Sequence, residues 1–405
     1  DVLGEDKYSF QKLIDLGDLV FCSGLLFKTM RGELTLNCDE IELLAKALQP
    51  FPEKFRGLQD PDLRYRNRHI DLSVNDETKK IFFQRSSVIH RVREFMNNDG
   101  FLEVETPMLH PIPGGANAKP FITKHNALDQ EMYLRVAPEL YLKRLLVGGF
   151  EKVYELNRSF RNEGISVRHN PEFTMLEFYA AYQNYEWCMN FTEELLSDVF
   201  AYVVGRKQLV WDDHKIDISV PFERLSFEKA INKYIPSLGT CSLESKDEII
   251  SILKSYGLTE NINTESMSKE VLTVHLFEGL VEEKIIQPTF IMNHPIDISP
   301  LARKSEKNPS RAERFELYIG GKEIANGFSE LNDPQEQEMR MLAQARQKDS
   351  GDDEAMYFDE DYIKALEFGM PPAAGCGIGI DRLTMLITNS HSIREVLLFP
   401  ALKRK

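Results

Sequence analysis

Phe160-Arg161-Asn162-Glu163-Gly164-Ile165-Ser166-Val167-Arg168-His169-Asn170-Pro171-Glu172-Phe173 runs between two apolar segments, 152–160 and 173–182, that have the composition of strands. The stretch therefore reads as the loop of a hairpin. It crowds two arginines, a histidine and two carboxylates together. A fold gains nothing from that, because like charges repel and each buried one must be matched. A polyphosphate would use it, since arginine offers a rigid donor fork to phosphate oxygens. A solvated hairpin loop is the bland alternative, and a single arginine would suggest no more. The cluster, with an aromatic at its end, favours a ligand site.

Strand alternation places Phe173, Met175, Glu177 and Tyr179 on one face and Thr174, Leu176 and Phe178 on the other. A carboxylate beside two aromatics is unusual core and suits a pocket for an aromatic base and a cationic group. Further on, Gly320-Gly321 separates 315–319 from 322–325, a two-residue hairpin signal. Such a turn pairs 319 with 322 and 318 with 323. Glu316 becomes the diagonal, same-face neighbour of Glu323, near enough to share a hard cation. Two exposed hairpin carboxylates are the commoner meaning of that pattern, and the spacing alone favours it. Asn326, Phe328 and Glu330 alternate onto one face, which strict alternation sets opposite Glu323. Both sets line one site only if a bulge intervenes.

Gly375-Cys376-Gly377-Ile378-Gly379-Ile380-Asp381-Arg382 is neither a dinucleotide fingerprint nor a P-loop. Its glycines let a strand approach a ligand or helix closely, and Arg382 falls at a helix start, where phosphate is welcome. Two stretches are set aside. Glu265-Ser266-Met267-Ser268-Lys269-Glu270 resembles the lysine loop of class I synthetases but lacks the His-x-Gly-His partner. Asp349-Ser350-Gly351-Asp352-Asp353-Glu354 has the wrong spacing for calcium and reads as a solvated helix start.

The 405 residues allow two or three domains. A net charge of −15, from 49 basic and 64 acidic side chains, argues against a sequence-blind nucleic-acid binder while permitting a local basic surface. Cys22, Cys38, Cys188, Cys241 and Cys376 are odd in number and scattered, which fits reduced thiols and neither a disulfide framework nor zinc. No apolar run has the length of a membrane span and no signal peptide opens the chain; the start at Asp1 suggests a fragment.

Residues 1–48 are expected to hold strands 19–28 and 33–38 around Met30-Arg31-Gly32, with 41–48 helical or extended. They are too few strands to close a barrel and read as its later part. Residues 49–71, with Pro50, Pro52, Pro61, Arg64, Arg66, Arg68 and His69, form a linker, a basic hinge near nucleic acid and a solvated connector being equally compatible. In 72–405 the patterns predict helices over 79–98, 186–204 and 331–347, a helix opening after Pro138 and another after Asp381. Strands are predicted over 101–105, 132–136 and 289–292. Residues 222–286 read as a mainly helical insertion, broken at Pro236-Ser237-Leu238-Gly239 and near Gly257. Hairpin-connected strands with helices argue for an α+β fold built on an antiparallel sheet.

Phe101…Pro107, then Phe160-Arg161-Asn162-Glu163 with Arg168-His169, then Gly377-Ile378-Gly379-Ile380-Asp381-Arg382 resemble motifs 1, 2 and 3 of class II aminoacyl-tRNA synthetases, in order. Gly114-Gly115-Ala116, Ala137-Pro138-Glu139-Leu140-Tyr141, Ser299-Pro300-Leu301-Ala302-Arg303 and Asn326-Gly327-Phe328-Ser329-Glu330-Leu331-Asn332-Asp333 resemble the bacterial-type, lysine-specific members more than the aspartate or asparagine ones. The resemblance runs from about Leu16 to the C-terminus. It implies a six- or seven-stranded antiparallel catalytic sheet, a homodimer formed through motif 1, a cytoplasmic location and an N-terminal OB-fold that reads the anticodon. Residues 1–48 match only the later part of that barrel.

The same resemblance implies the ligands ATP, Mg²⁺, L-lysine and tRNA(Lys), and a role for each matching position. Arg161 contacts the α-phosphate and the amino-acid carboxylate. Glu163 holds the adenine edge and Phe173 stacks under the ring. Arg168, His169 and Arg382 take the outer phosphates, near Gly379, and Glu316 and Glu323 hold magnesium. Gly115 and Glu177 meet the α-amino group; Glu139 and Glu330, walled by Tyr179 and Phe328, receive the lysine ammonium; Asn326 supports the carboxylate. Arg161 and Arg382 are the implied catalytic pair. Two other readings share the fold: a paralogue that lysylates a protein acceptor, and a non-catalytic regulator.

Overall fold

A computed structural model describes residues 11–49, 58–236, 243, 245–260, 262–265 and 267–404. Asp1, Pro50, Pro52, Ser237-Leu238-Gly239, Cys241 and Ser266, which figured in the sequence reading, lie outside the described residues. The chain divides into two compact units, Asp1–Lys79 and Lys80–Lys405.

In the first unit, β1 (Leu19–Lys28) and β2 (Leu34–Ala45) pair antiparallel, with a register shift between Ser23 and Gly24. Residues 41–45, left open between helix and strand, continue β2. Among the described residues this hairpin forms a two-stranded sheet and no closed barrel. The stretch expected as a linker is helical from residue 61: α1 (Pro61–Arg66) starts with Pro61 behind an Asp60 cap, and α2 (Arg68–Val74) follows. Its arginines are internally satisfied. Arg64 and Arg68 both bind the buried Asp71, at 3.0 and 2.7 Å, and Arg66 pairs with Asp62. Burial would raise the Asp71 pKa, but the hydrogen bonds from Asn75, Arg68 and Arg64 bring it below the ordinary value. This wiring makes the basic run a structural element rather than a free hinge.

The larger unit follows α3 (Asp76–Asn98) with β3 (Leu102–Glu103), β4 (Leu109–His110), β5 (Ile122–His125), β6 (Gln130–Leu134), α4 (Glu139–Val147), β7 (Lys152–Phe160), β8 (Glu172–Ala181) and α5 (Tyr185–Val204). Then come β9 (Gln208–Trp211), β10 (His214–Asp217), β11 (Glu223–Ser226), α6 (Phe227–Tyr234), α7 (Lys246–Ser255), α8 (Lys269–Leu280) and β12 (Thr289–Met292). The chain ends with β13 (Arg314–Ile319), β14 (Lys322–Ser329), α9 (Pro334–Asp349), α10 (Glu360–Glu367), β15 (Ala373–Gly379), α11 (Ile380–Thr388) and α12 (Ile393–Val396). Asp349 is the last residue of α9, and residues 350–354 follow it rather than opening a helix.

An eight-stranded sheet in the order β11-β12-β13-β14-β15-β8-β7-β3 carries the unit. Its inner six strands are antiparallel, as expected. The edges correct the all-antiparallel expectation, because β11 lies parallel to β12 and β3 parallel to β7. Parallel neighbours need a long crossover, and the helices α6–α8 supply one between β11 and β12. These helices bury their own cluster, including Phe227, Ile249, Leu253, Leu272 and Phe277, against Ile291 and Tyr318 of the sheet.

One sheet face packs on α5. Leu176 and Phe178 of β8 sit with Phe191, Leu195, Leu196 and Val199, all at most 5 % exposed. Phe178 meets Phe191 edge-on at 5.2 Å between centroids. Burial of this face turns the opposite face of β8 and β14 outward as the floor of a cleft. No helix among the described residues is long and apolar enough to cross a membrane.

Candidate active site

The floor strands β7 and β8 pair from Lys152↔Ala180 to Phe160↔Glu172, so the charged stretch is their connecting loop. The Arg161 N–H donates to the Pro171 carbonyl (2.9 Å) and the Asn162 N–H to that of Lys119 (2.7 Å). The Ser166 hydroxyl accepts from the N–H groups of Arg168 and His169. The loop borders a cleft with a cavity volume of about 430 Å³. All sixteen positions named from the sequence line that cleft except Glu330, which lies just behind it: its Oε1 would be 2.6 Å from a Cβ at residue 375 of the lining. Alternation thus read the Phe173–Tyr179 face correctly.

The outer half of the cleft is cationic. The Arg161 guanidinium sits 5.1 Å from the Phe173 ring centroid, and its buried Nε finds no hydrogen-bond partner among the described residues. A buried, unmatched arginine donor is costly unless an anion arrives. Arg382 Nη1 donates to the Glu323 carbonyl at 2.8 Å and lies 3.3 Å from its carboxylate, while Nη2 is 3.4 Å from His169 Nε2. Burial, then Arg382, lowers the His169 pKa, leaving its ring neutral. Arg168 reaches out to Glu283 at 2.5 Å, both side chains being substantially exposed. Glu163 is exposed at the rim.

Beneath the arginines lie Glu316 and Glu323. Gly320 and Gly321 take φ of +60° and +69°, the left-handed pair that a tight hairpin turn demands. The pairing is Ile319↔Lys322 and Tyr318↔Glu323, as the sequence predicted. The expectation of two exposed carboxylates fails at Glu316, whose side chain is 15 % exposed, and holds in part at Glu323, half-buried at 37 %. Glu316 accepts from Arg314 (2.6 Å) and the Tyr318 hydroxyl (2.7 Å) and faces His294 Nε2 at 3.3 Å. Burial opposes its charge, but His294 and Arg314 hold it well below the usual carboxylate range. Glu323 moves the other way, raised by burial and then by the charge on Glu316.

The doubt over β14 resolves at Ile324. Leu317 pairs with Ala325 and Tyr318 with Glu323, so Ile324 is an extra residue in the ladder. Ile324 and Ala325 both enter the core, which returns Asn326 and Phe328 to the cleft side with Glu323. Arg314 stitches this region, donating to Asn326 Oδ1 (3.1 Å), Glu316 and the Ile298 carbonyl (2.9 Å). Sequence reasoning missed Arg314, although its alternation with Glu316 on one strand face was the available signal. It also missed Met356, a wall residue beyond the acidic Asp349–Glu354 stretch.

The inner half of the cleft is acidic and closed. Glu139 on α4, Glu177 and Glu330 are all at most 6 % exposed. The Tyr179 hydroxyl donates to Glu177 at 3.3 Å. Burial, then the charge on Glu139, pushes Glu177 up to about 8. Glu330 is likewise pushed up to about 8 by burial against the pull of Lys143. Glycine is required at two wall positions. Gly115 has φ of +90° and a Cβ there would press Glu139 at 3.0 Å; a Cβ on Gly375 would sit 2.3 Å from the Tyr179 ring. At Gly379 the nearest protein atom to such a Cβ is 3.8 Å away, so the fold itself leaves room there.

Cationic donors above a carboxylate pair, with an aromatic shelf and an acidic terminus, suit one elongated ligand set that is anionic at one end and cationic at the other. The sequence pattern of "tRNA synthetases class II (D, K and N)" matches residues 60–403. Similar proteins include the lysine–tRNA ligase of Variovorax paradoxus, 56 % identical over 407 residues and covering 100 % of this chain and 78 % of that protein. Those of Paraburkholderia phymatum and Azoarcus sp. are each 53 % identical, again over 100 % of this chain and over 79 % and 80 % of theirs. On this match and the site it frames, the chain belongs to the class II tRNA synthetase family (D, K and N).

Proposed function

We propose that this chain activates L-lysine with ATP to lysyl-adenylate and transfers the lysyl group to the 3′ end of tRNA(Lys). The similarity to lysine–tRNA ligases over the whole chain supports this, and the buried acidic terminus of the cleft is the observation that carries the amino-acid choice. Glu139 and Glu330 face the lysine ammonium between Tyr179 and Phe328. Glu177 and Gly115 take the α-amino group, and Asn326 supports the carboxylate. Two desolvated carboxylates reject a shorter or uncharged side chain, which leaves them unpaired at a cost of several kcal/mol, about 3–5 by analogy with broken buried pairs.

The reaction needs no general base, because the lysine carboxylate is already a nucleophile. It attacks the α-phosphorus in line and pyrophosphate leaves. Two anions must be brought together, so positioning and charge stabilisation do the work. Arg161, with its unmatched buried donor, lies between the α-phosphate and the amino-acid carboxylate. Phe173 stacks under adenine and Glu163 holds its edge. Arg168, His169 and Arg382 take the leaving phosphates, with the Gly379 backbone close by. Glu316 and Glu323 are hard oxygen donors at this point, and a carboxylate pair shared with substrate phosphates is the usual way proteins hold magnesium. Bound there, the ion supplies neutralisation of the developing phosphate charge.

Three further assignments accompany this reading. The exposed apolar Phe83 of α3, with Leu102 and Leu109, supports a homodimer formed through the motif 1 region, and a monomeric mass in light scattering at micromolar concentration refutes it. The β1–β2 hairpin, with Leu25, Leu26 and Leu34 exposed, is read as part of an OB-fold that binds the anticodon; anticodon substitutions that leave charging unchanged contradict that. The location is cytoplasmic, and recovery of the protein with the membrane or secreted fraction would contradict this. The enzyme itself is tested by lysine-dependent ATP–pyrophosphate exchange. No exchange at saturating lysine sinks the proposal in favour of a regulator, and lysylation of a protein but not tRNA shifts it to the paralogue.

A further inference from the structure

Lys143 is a buried cation at the cleft that the roles above leave unused. It stands on α4 one turn after Glu139, and its side chain has no solvent exposure. Its Nζ lies 2.5 Å from Glu139 Oε1, contacts Glu330 Oε2 and sits 5.2 Å from the Phe328 ring centroid. The two carboxylates assigned to the substrate ammonium are therefore already bridged by an ammonium of the protein's own. Each is held by one oxygen. Glu330 Oε1 is buried and finds no hydrogen-bond partner among the described residues; it packs close to Gly375, where a Cβ would meet it at 2.6 Å and the Tyr179 ring at 2.3 Å.

A charge count follows. With both ionised, two buried carboxylates facing one buried ammonium are one positive charge short; a low-dielectric site penalises that imbalance heavily, and in the empty pocket a proton makes it up, with Glu330 pushed up to about 8. We propose that Lys143 is a resident counter-ion that fixes Glu139 and Glu330 in place and sets the pocket one positive charge below neutrality, so that a side chain carrying a single ammonium completes it and a neutral one does not. Lys143 is a positioning residue, acting on the substrate through the two carboxylates. Burial alone would discharge it, but Glu139 and Glu330 outweigh burial and raise its pKa. The other titratable or charged groups facing the cluster are Glu177, Tyr179, Tyr362, Arg144 and Arg314, and the Tyr362 hydroxyl is itself buried without a hydrogen-bond partner among the described residues.

The inference rests on the lysine reading above, and its test keeps the two apart. Wild-type protein, Lys143→Met and Lys143→Gln are compared in ATP–pyrophosphate exchange driven by lysine or by its ε-hydroxyl analogue. If wild type shows no lysine dependence, the lysine reading fails. If it does, the variants are expected to raise the lysine KM about tenfold or more, leave the ATP KM within about twofold, and lower the preference for lysine over the hydroxyl analogue about tenfold. Adding Glu139→Gln to Lys143→Met removes one negative charge and restores the balance. The double variant is thus expected to bind lysine no more weakly than Lys143→Met alone, a rescue that a purely structural role does not produce. A lysine KM within about twofold of wild type, equal rises in both KM values, or additive losses in the double variant overturn the proposal. Should neither single variant fold, calorimetric titration of lysine and of its ε-hydroxyl analogue into wild-type protein in two buffers of different ionisation enthalpy decides it. Proton release near neutral pH that is larger for lysine than for its ε-hydroxyl analogue supports the charge count, and equal release for the two overturns it.

Discussion

The two halves of the cleft solve opposite electrostatic problems in opposite ways. The outer half is open and leaves donors unmatched: among the described residues Arg161 Nε is buried without a hydrogen-bond partner, and the Arg168 guanidinium pairs with the exposed Glu283. The inner half is closed and pre-paired, with Lys143 spanning Glu139 and Glu330. On the proposed roles, the difference follows the ligands. A triphosphate carries several charges and brings its own cation, so it can bind a rim that keeps spare donors. A lysine side chain carries one charge, and selecting it requires carboxylates that are desolvated and fixed before it arrives.

Substitutions at the two ends should separate accordingly. Arg161→Ala removes the donor at the junction of both halves, and it is expected to cut kcat/KM for exchange about 10³-fold, the scale of losing one preorganised charge-stabilising donor. A loss confined to one substrate's KM would show that Arg161 belongs to one half only. Glu330→Gln leaves Glu139 facing two ammonium groups; the lysine KM is expected to rise about 100-fold while the ATP KM changes about twofold or less. Equal effects on both would erase the division.

Acidity supplies the next test. With Glu330 and Glu177 pushed up to about 8 in the empty site, both are largely protonated at lower pH. The ammonium groups of lysine favour the ionised forms. The lysine KM is therefore expected to fall as pH rises from about 6 to 8, by at most about tenfold per unit for each proton released, and to level off above. An ATP KM that follows the same curve would break the contrast. The smallest effect belongs to Glu283→Gln. It frees Arg168 from a solvent-exposed pair worth about 0–1 kcal/mol, so the ATP KM should fall about twofold or less, with no change for lysine.

Much of this was legible before any coordinates. Alternation revealed the Phe173–Tyr179 face, and the double glycine fixed the register that brings Glu316 and Glu323 together, because both are local rules of strand and turn. What escaped depended on partners remote in sequence. The parallel edges of the sheet, β3 on β7 and β11 on β12, have no local signature. Lys143 looked like any helix residue, since its significance lies in Glu330 on a distant strand. The basic run at Arg64, Arg66 and Arg68 was equally compatible with a hinge near nucleic acid and a solvated connector, because its partners Asp71 and Asp62 cannot be assigned from the run itself.

Ile324 also acts as a spacer. Glu323 and Asn326 stand three residues apart along one strand, an odd interval that a regular ribbon cannot present on the same side. Removing the extra residue would restore even counting and keep both groups on the ligand, but it would draw them together by up to about 3.3 Å, one strand step. The bulge is thus a ruler: a single inserted residue sets the spacing between Glu323 and Asn326, and so, on the proposed roles, how far the carboxylate of the amino acid lies from the metal at the phosphates.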